Sequence, residues 1–253
     1  AVFKDLDQAT GGRLSQRLKE ERFTGKDGQL IVIDTRDLIP ATWVMIFGAG
    51  EHKNFEPKKA RDLAAKAVKA ARARRAKKVS FVLPSHKSLP AEIHFSAMGA
   101  ELGLYGFEKY KKPGDEKKHK IRSFDIVVDG RGKKIKPEDG KAYVREIKAA
   151  QAIASAVGQA RDLVNEPAGF MTPNQMAKVA QAIAKKHDQV KVKILDRKQC
   201  EKLGMGMYLA VARGSDEPPR FIHMTYTPKK KGRNGKRVAL IGKGVMFDLV
   251  ADY

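Results

Sequence analysis

The chain has one cysteine, Cys200, in 253 residues. That excludes an internal disulfide, and with no second thiol or matched histidines it also excludes a thiolate zinc site. A part-buried reduced thiol is the reading that remains. Aromatic residues are scarce, at 7% of the chain, which leaves few rings on which bases of a single nucleic-acid strand would stack. No apolar run approaches the roughly 20 residues that span a bilayer, and charged residues recur throughout the first thirty positions. Neither a membrane anchor nor a secretory signal is read there, and the expectation is a soluble, cytoplasmic protein. Acid is also in short supply: 29 Asp and Glu stand against 51 Lys and Arg, a formal net charge of +22. Hydrophobic residues nevertheless make up 42%, with well-formed runs at Leu30–Ile33 and Val238–Ile241, so a disordered chain is excluded despite the charge.

The positive charge is clumped. Ten basic residues and one acid, Asp62, lie from Lys58 to Lys78; seven basics face Asp115 and Glu116 from Lys109 to Arg122; Lys229 to Arg237 carries six and no acid. Fields of this kind attract polyanions and speed their encounter. Leu63, Ala64, Ala67, Val68 and Ala71 recur at three- and four-residue spacing, which predicts a helix whose Lys66, Lys69, Arg72, Arg74 and Arg75 fill the remaining surface. Those five are candidate contacts to a DNA or RNA backbone; a solvated helix face is the competing reading. No helix-turn-helix, zinc-finger or ribonucleoprotein pattern is present, and aromatic residues do not alternate with the basics, so binding of this kind is expected to be backbone-directed. The other two clusters sit beside Pro113-Gly114 and among Gly232, Asn234 and Gly235, which read as loops.

The hydrophobic pattern predicts strands at Gln29–Asp34, Trp43–Phe47, Lys78–Leu83 and Ser123–Val128, the first two as near-continuous apolar runs expected to be covered on both faces. The basic helix over Pro57–Ala76 and a second after Pro90 alternate with them, indicating a mostly parallel α/β sheet. From Pro137 a long helical pattern of roughly 28 residues runs to Asn165-Glu166-Pro167, a length that often bridges two domains. A second unit follows, with Thr172 as N-cap before Pro173, a helix through Lys186, a half-exposed strand at Val190–Leu195, a helical turn ending at Gly204, and strands at Arg220–Thr225 and Val238–Ile241. The predicted organisation is an amino-terminal α/β domain over 1–136, a linking helix over 137–166, and an incomplete second α/β domain over 167–253.

At the end of the last apolar run, Gly242-Lys243-Gly244-Val245-Met246-Phe247-Asp248 places a lysine and a carboxylate five residues apart. Alone this is a weak signal, since such pairs are usually surface pairs. In open α/β sheets, however, ligands gather beyond the carboxyl ends of strands. A lysine kept neutral there can ligate a metal, and an aspartate offers a hard oxygen able to bridge two divalent ions in a hydrolytic site. Other candidates are weaker. Gly48-Ala49-Gly50 lacks the third glycine of a dinucleotide fingerprint. His52, His86, His94, His119, His187 and His223 include no pair spaced to bind metal on one helix. Ser215 in Gly214-Ser215-Asp216 is no nucleophile elbow.

Three blocks resemble the M17 leucyl aminopeptidase (cytosol aminopeptidase) family: Ala160–Pro167 with Thr172-Pro173, Leu203–Gly206 through Gly214–Arg220, and Val238–Asp248. The amino-terminal part is similar more loosely, in Phe47–Gly50 and Leu104–Tyr110. The resemblance implies an amino-terminal domain of macro-domain type, a linking helix, and the start of a catalytic domain that holds two divalent ions, manganese or zinc. It implies that Lys243 ligates one ion and Asp248 both, and that in the complete enzyme the ions bind a peptide's amino end and activate a water against its scissile carbonyl. The family's other ligands, two Asp and one Glu, and its catalytic Lys and Arg have no counterpart here. After Asp248 the family continues with a hydroxyl residue and a Gly pair, where this chain reads Leu249–Tyr253. Codons for those five residues, with one base restored, can spell Ser or Thr, three Gly and Leu, as a frameshift would leave; a designed end point or a divergent paralogue are the alternatives. Two ligands do not hold two ions that usually take about four to six donors each. The chain is therefore expected to be inactive, with no ion stably bound.

Overall fold

A computed structural model describes residues 2–83, 88–112, 120–128, 137–229 and 236–245. The chain divides into two compact units, Ala1–Asp162 and Leu163–Tyr253. The first opens with two helices that the sequence reading did not place, α1 (Val2–Ala9) and α2 (Arg13–Glu20). Asp7 fastens the turn between them, accepting from the Ser15 amide at 2.8 Å. Leu14 of α2 is fully buried against Ile31 and Ile33 of β1 (Leu30–Asp34).

Strand β1 pairs antiparallel with β2 (Trp43–Phe47), in the register Leu30 to Phe47 and Asp34 to Trp43. The eight residues between them are too few for a crossover, so the chain can only return antiparallel. Strand β3 (Lys78–Leu83) and β4 (Ser123–Val128) are separated by a helix and pair parallel, Lys78 with Ser123 through Leu83 with Val128. The expected mostly parallel sheet is corrected accordingly: the described strands form three separate two-stranded ladders, of which only β3–β4 is parallel. The expected two-sided cover of the first strand is corrected as well. In β1 only Ile31 and Ile33 are buried, while Leu30 is 42% exposed, because α1 and α2 cover a single face.

Helix α3 (Pro57–Ala73) is the predicted basic helix, with Pro57 in its first turn and Ala60, Leu63, Ala64, Ala67, Val68 and Ala71 buried. That stripe lies on α4 (Leu89–Leu104), the other principal helix of the core. Their contact is made at backbone level. A β-carbon on Gly99 would fall 2.0 Å from the Arg61 carbonyl oxygen, and one on Gly103 would fall 2.8 Å from the Ala65 Cα. Beneath the pair, Leu63, Leu83, Leu89 and Ile93 form the core with Phe81, Ile126 and Val128, and α5 (Pro137–Asn165) adds Tyr143 and Ile147. Within that packing Glu92 is fully buried, and desolvation pushes its carboxyl up to about 7, with the His52 charge pulling weakly the other way.

Two expectations follow for stability. Gly99→Ala should destabilise the chain by about 3 kcal/mol in urea unfolding, because α3 and α4 must separate. Gly140→Ala, in α5 with nothing within 4 Å of the added carbon, should stabilise it by about 0.5 kcal/mol; equal effects would show that the close approach is not required. Glu92 has a folded-state value of about 7, above the ordinary 4.5, so its contribution is complete below pH 4.5 and is lost as pH rises towards 7. Relative to Glu92→Gln, the parent should therefore lose on the order of 3 kcal/mol across that window. Parallel stability–pH curves would contradict this.

Candidate functional site

The second unit begins as the sequence suggests. Thr172 caps α6 (Pro173–Lys186), its hydroxyl accepting from the Gln175 amide at 3.4 Å. Strands β5 (Val190–Leu195) and β6 (Phe221–Tyr226) pair antiparallel, and β5 alternates between exposed or half-buried residues up to buried Leu195. Between them, α7 (Arg197–Lys202) starts with a reciprocal cap: the Asp196 carboxylate accepts from the Gln199 amide at 2.8 Å, and the Gln199 side chain accepts from the Asp196 amide at 3.0 Å. Gly204, at φ +68, turns the chain into α8 (Gly206–Val211), whose Tyr208 packs edge-on against Phe221 with ring centroids 5.7 Å apart.

Motif residues are brought together within each unit, chiefly as fasteners. In the first, the Tyr105 hydroxyl donates to the Asp162 carboxylate at 2.9 Å, and the Arg161 guanidinium lies 5.3 Å from the Tyr105 ring centre. In the second, Arg220 Nε donates to Asn174 Oδ1 at 2.7 Å, tying the approach to β6 to the start of α6.

Of the two candidate metal ligands, only Lys243 lies among the described residues. Residues 236–245 form no strand among the described residues, and Val238, Leu240 and Ile241 are 83%, 95% and 97% exposed. The expected strand at Val238–Ile241 is corrected on this point: β5 and β6 pair with one another, and no further described strand offers it a ladder. Lys243 is exposed on that segment, and Asp248 lies outside the described residues. Among the described residues, no three His, Cys, Asp or Glu side chains are grouped to hold a metal ion. The described donor set thus does not fit a two-metal centre.

The basic residues of α3 fall into two groups. In the first half of the helix the cations meet carboxylates: Lys58 with Glu56 at 2.7 Å, Lys59 and Lys66 with Asp27 at 3.2 and 3.5 Å, and Arg61 with Asp62 at 2.9 Å. The Lys59 ammonium holds the Asp27 carboxyl below its ordinary range. Lys66 and Lys69 border an apolar cleft of about 250 Å³ that includes Leu30, Phe47 and Leu63. Near the other end the partners are neutral. Arg72 donates to the Leu104 carbonyl at 3.3 Å, Arg74 donates to the Ala70 carbonyl at 3.2 Å and stands 6.0 Å from the Trp43 ring centre, and Arg75 is exposed at φ 60. Arg36, held by the Asp34 carboxylate, stands 5.7 Å from the same ring. Trp43 was not among the sequence-derived candidates. It is remote from the basic run in sequence, and only the packing of α3 along the β1–β2 ladder brings them together.

Two family models match the chain. One is described as the cytosol aminopeptidase family, N-terminal domain, over residues 1–114, and the other as the catalytic domain of the same family, over residues 158–249. The chain belongs to the cytosol aminopeptidase (M17) family. It is 34% identical over 248 residues to a probable cytosol aminopeptidase of Sulfurihydrogenibium sp. (strain YO3AOP1), covering 97% of this chain and 47% of the relative. The relative from Persephonella marina is 35% identical, with 97% and 48% covered. Among solved structures, a mutant of tomato leucine aminopeptidase superposes with a TM-score of 0.78 at 30% identity, covering 92% of this chain and 44% of that one. The bottromycin maturation enzyme BotP in complex with Mn gives 0.67 at 26% identity, with 85% and 42% covered. The M17 chain described here thus spans about half the length of the curated relatives it matches. No described helix is long and apolar enough to cross a membrane.

Cys200, which opens no metal site, reports on the packing of this unit. It is fully buried in α7, and burial pushes its thiol pKa up, with Asp196 and Glu201 adding to the effect. Reaction with a disulfide reagent at pH 8 should be at least about a hundredfold slower in the native chain than in denaturant. Equal rates would mean that α7 is not packed.

Proposed function

We propose that this chain supplies the amino-terminal domain and the opening part of the catalytic domain of an M17 metallo-aminopeptidase, and that by itself it does not hydrolyse peptides. The observation that carries the reading is the donor set. Family resemblance assigns two metal ligands, Lys243 and Asp248, against about four to six donors for each of two divalent ions. The described residues add no cluster that makes up the difference.

When bound, a pair of divalent ions supplies an activated water and polarises the scissile carbonyl. Nothing in the described arrangement carries such a step. What the described residues provide is the frame: the Tyr105–Asp162 bond holds the carboxyl-terminal part of α5 to the end of α4 within the first unit, and Arg220–Asn174 orders the second. Substrate, on this reading, is a peptide with a free amino end, engaged only where the remaining ligands and the catalytic Lys and Arg are present. The manganese named in the BotP complex supports manganese as one occupant, with zinc the other choice for the same oxygen and nitrogen donors.

The test is hydrolysis of a leucyl chromogenic amide by the purified chain with manganese or zinc, alongside thermal unfolding with and without metal. No turnover above buffer is expected, and no rise in Tm. An ion held at a hundredth of its free concentration would instead add about 2.7 kcal/mol of stability. Metal-dependent turnover abolished by Asp248→Ala would overturn the proposal.

A further inference from the structure

The apolar cleft bordered by Lys66 and Lys69 is the strongest feature that the aminopeptidase reading does not use. Its volume is about 250 Å³, and its lining includes Leu30 of β1, Phe47 of β2 and Leu63 of α3. Leu63 belongs to the core, Phe47 is half-buried and Leu30 is 42% exposed, so the apolar lining runs from the core out to solvent. Its strand side is fastened. Gln29 Oε1 accepts from the Thr24 and Lys26 amides, each at 3.0 Å, and from the Thr24 hydroxyl at 3.1 Å. The Gly48 amide donates to the Gln29 carbonyl at 2.9 Å, and a β-carbon on Gly48 would collide with the Lys26 carbonyl oxygen. On the helix side α3 is held by its close contact with α4. The cleft is therefore preformed, as small-molecule sites usually are. Two cations and no carboxylate line it. Lys69 forms no ion pair among the described residues. Lys66 reaches Asp27 at 3.5 Å, but Lys59 stands closer to that carboxylate, at 3.2 Å, so its charge is divided between the two.

We propose that this cleft binds a small apolar carboxylate, its single ring or short branched chain lying against Leu30, Phe47 and Leu63 and its carboxylate meeting the ammonium groups of Lys66 and Lys69. The volume sets the apolar body. An apolar cavity of about 150 Å³ already accepts benzene, so about 250 Å³ takes one ring with a linker of a few carbons and excludes a long acyl chain. The charge sets the head group. Lys66 and Lys69 are three residues apart on one helix and are neighbours on its surface, which lets both engage one anion. Lysine stems often lie over apolar surface with their ammonium groups in water; here they border the cleft and leave its volume open. An anion without an apolar body would leave Leu30 and Phe47 in contact with water, and a neutral apolar molecule would draw nothing from the two cations. A ligand with both parts uses the whole lining. The site lies within the first unit and owes nothing to the metal chemistry read for the second.

The test is an amide NMR titration of the isotope-labelled full chain at low salt. Phenylbutyrate is the probe, phenylbutanol its uncharged counterpart, and butyrate the carboxylate without a ring. Shifts are expected at Gly28 to Leu30, Phe47, Gly48 and Leu63 to Lys69, with a Kd of about 1 mM or tighter for phenylbutyrate. The alcohol should bind about fivefold more weakly, which is the scale of an exposed ion pair, and butyrate should not saturate. Joint Lys66→Gln and Lys69→Gln should abolish the preference, leaving acid and alcohol within about twofold of each other. Leu30→Gln alters an exposed wall of the cleft and should weaken acid and alcohol alike, at least about threefold. Lys58→Gln, on the same helix but outside the cleft, should change neither by more than about twofold. The amide spectrum of each variant reports in the same experiment that its fold is kept. Equal affinity of the parent chain for acid and alcohol overturns the proposal, as does an acid preference that survives the double lysine substitution. Shifts that follow α3 without touching β1 and β2, or no saturation by about 10 mM phenylbutyrate, overturn it too.

Discussion

The first unit depends on how closely α3 and α4 can approach. Helix separation is set by the side chains at the contact, and here Gly99 and Gly103 present no side chain to the α3 backbone. The Arg61 backbone faces Gly99, the Ala65 backbone and Val68 face Gly103, and Ala60, Ala64, Ala67 and Ala71 fill most of the buried stripe of α3. This contact has consequences along the whole of α3. Its narrow alanine stripe is buried, so every lysine and arginine must lie on the remaining surface. Its position beside the β1–β2 ladder then decides which cations meet Asp27 and which meet Trp43. An alanine-rich face buries little area per residue; close packing at backbone level compensates through many short contacts, and that is why the glycines matter more than their size suggests.

Elements whose periodicity is local were legible in the sequence. The apolar spacing of Leu63, Ala64, Ala67, Val68 and Ala71 anticipated α3, and Thr172-Pro173 anticipated the start of α6 with its cap. Alternation at Val190–Leu195 matched β5. What could not be read was pairing. Antiparallel β1–β2 and parallel β3–β4 differ in the length of their connections, and short apolar runs look alike in both cases. The two opening helices were passed over because Leu6, Leu14 and Leu18 are spaced among so many charges that their common face shows only when Ile31 and Ile33 lie beneath it.

The same distinction applies to the candidate sites. Family blocks such as Leu104–Tyr110 and Ala160–Pro167 are visible as words, but the bond joining Tyr105 to Asp162 is not, since it links residues 57 apart. Val238–Ile241 shows the opposite failure. Its composition suits a buried strand, yet a strand is defined by its neighbours, and an apolar run without a ladder keeps its backbone groups in water. Lys243 follows from that: with the preceding run unpaired, the amine is left exposed, whereas a metal-binding lysine requires burial.

Net charge alone does not describe α3; the partners of its cations differ along the helix. A cation paired with a carboxylate presents little field beyond a Debye length of about 8 Å at physiological salt. A cation hydrogen-bonded to a carbonyl keeps its charge and is merely held in place. The first half of α3 is of the former kind and the far end of the latter, although both halves look equally basic in the sequence. Carbonyls at the ends of α3 and α4 carry partial negative charge, and they orient Arg74 and Arg72 without neutralising them. The geometry thus concentrates the field of the helix at one end, beside the one indole of the chain.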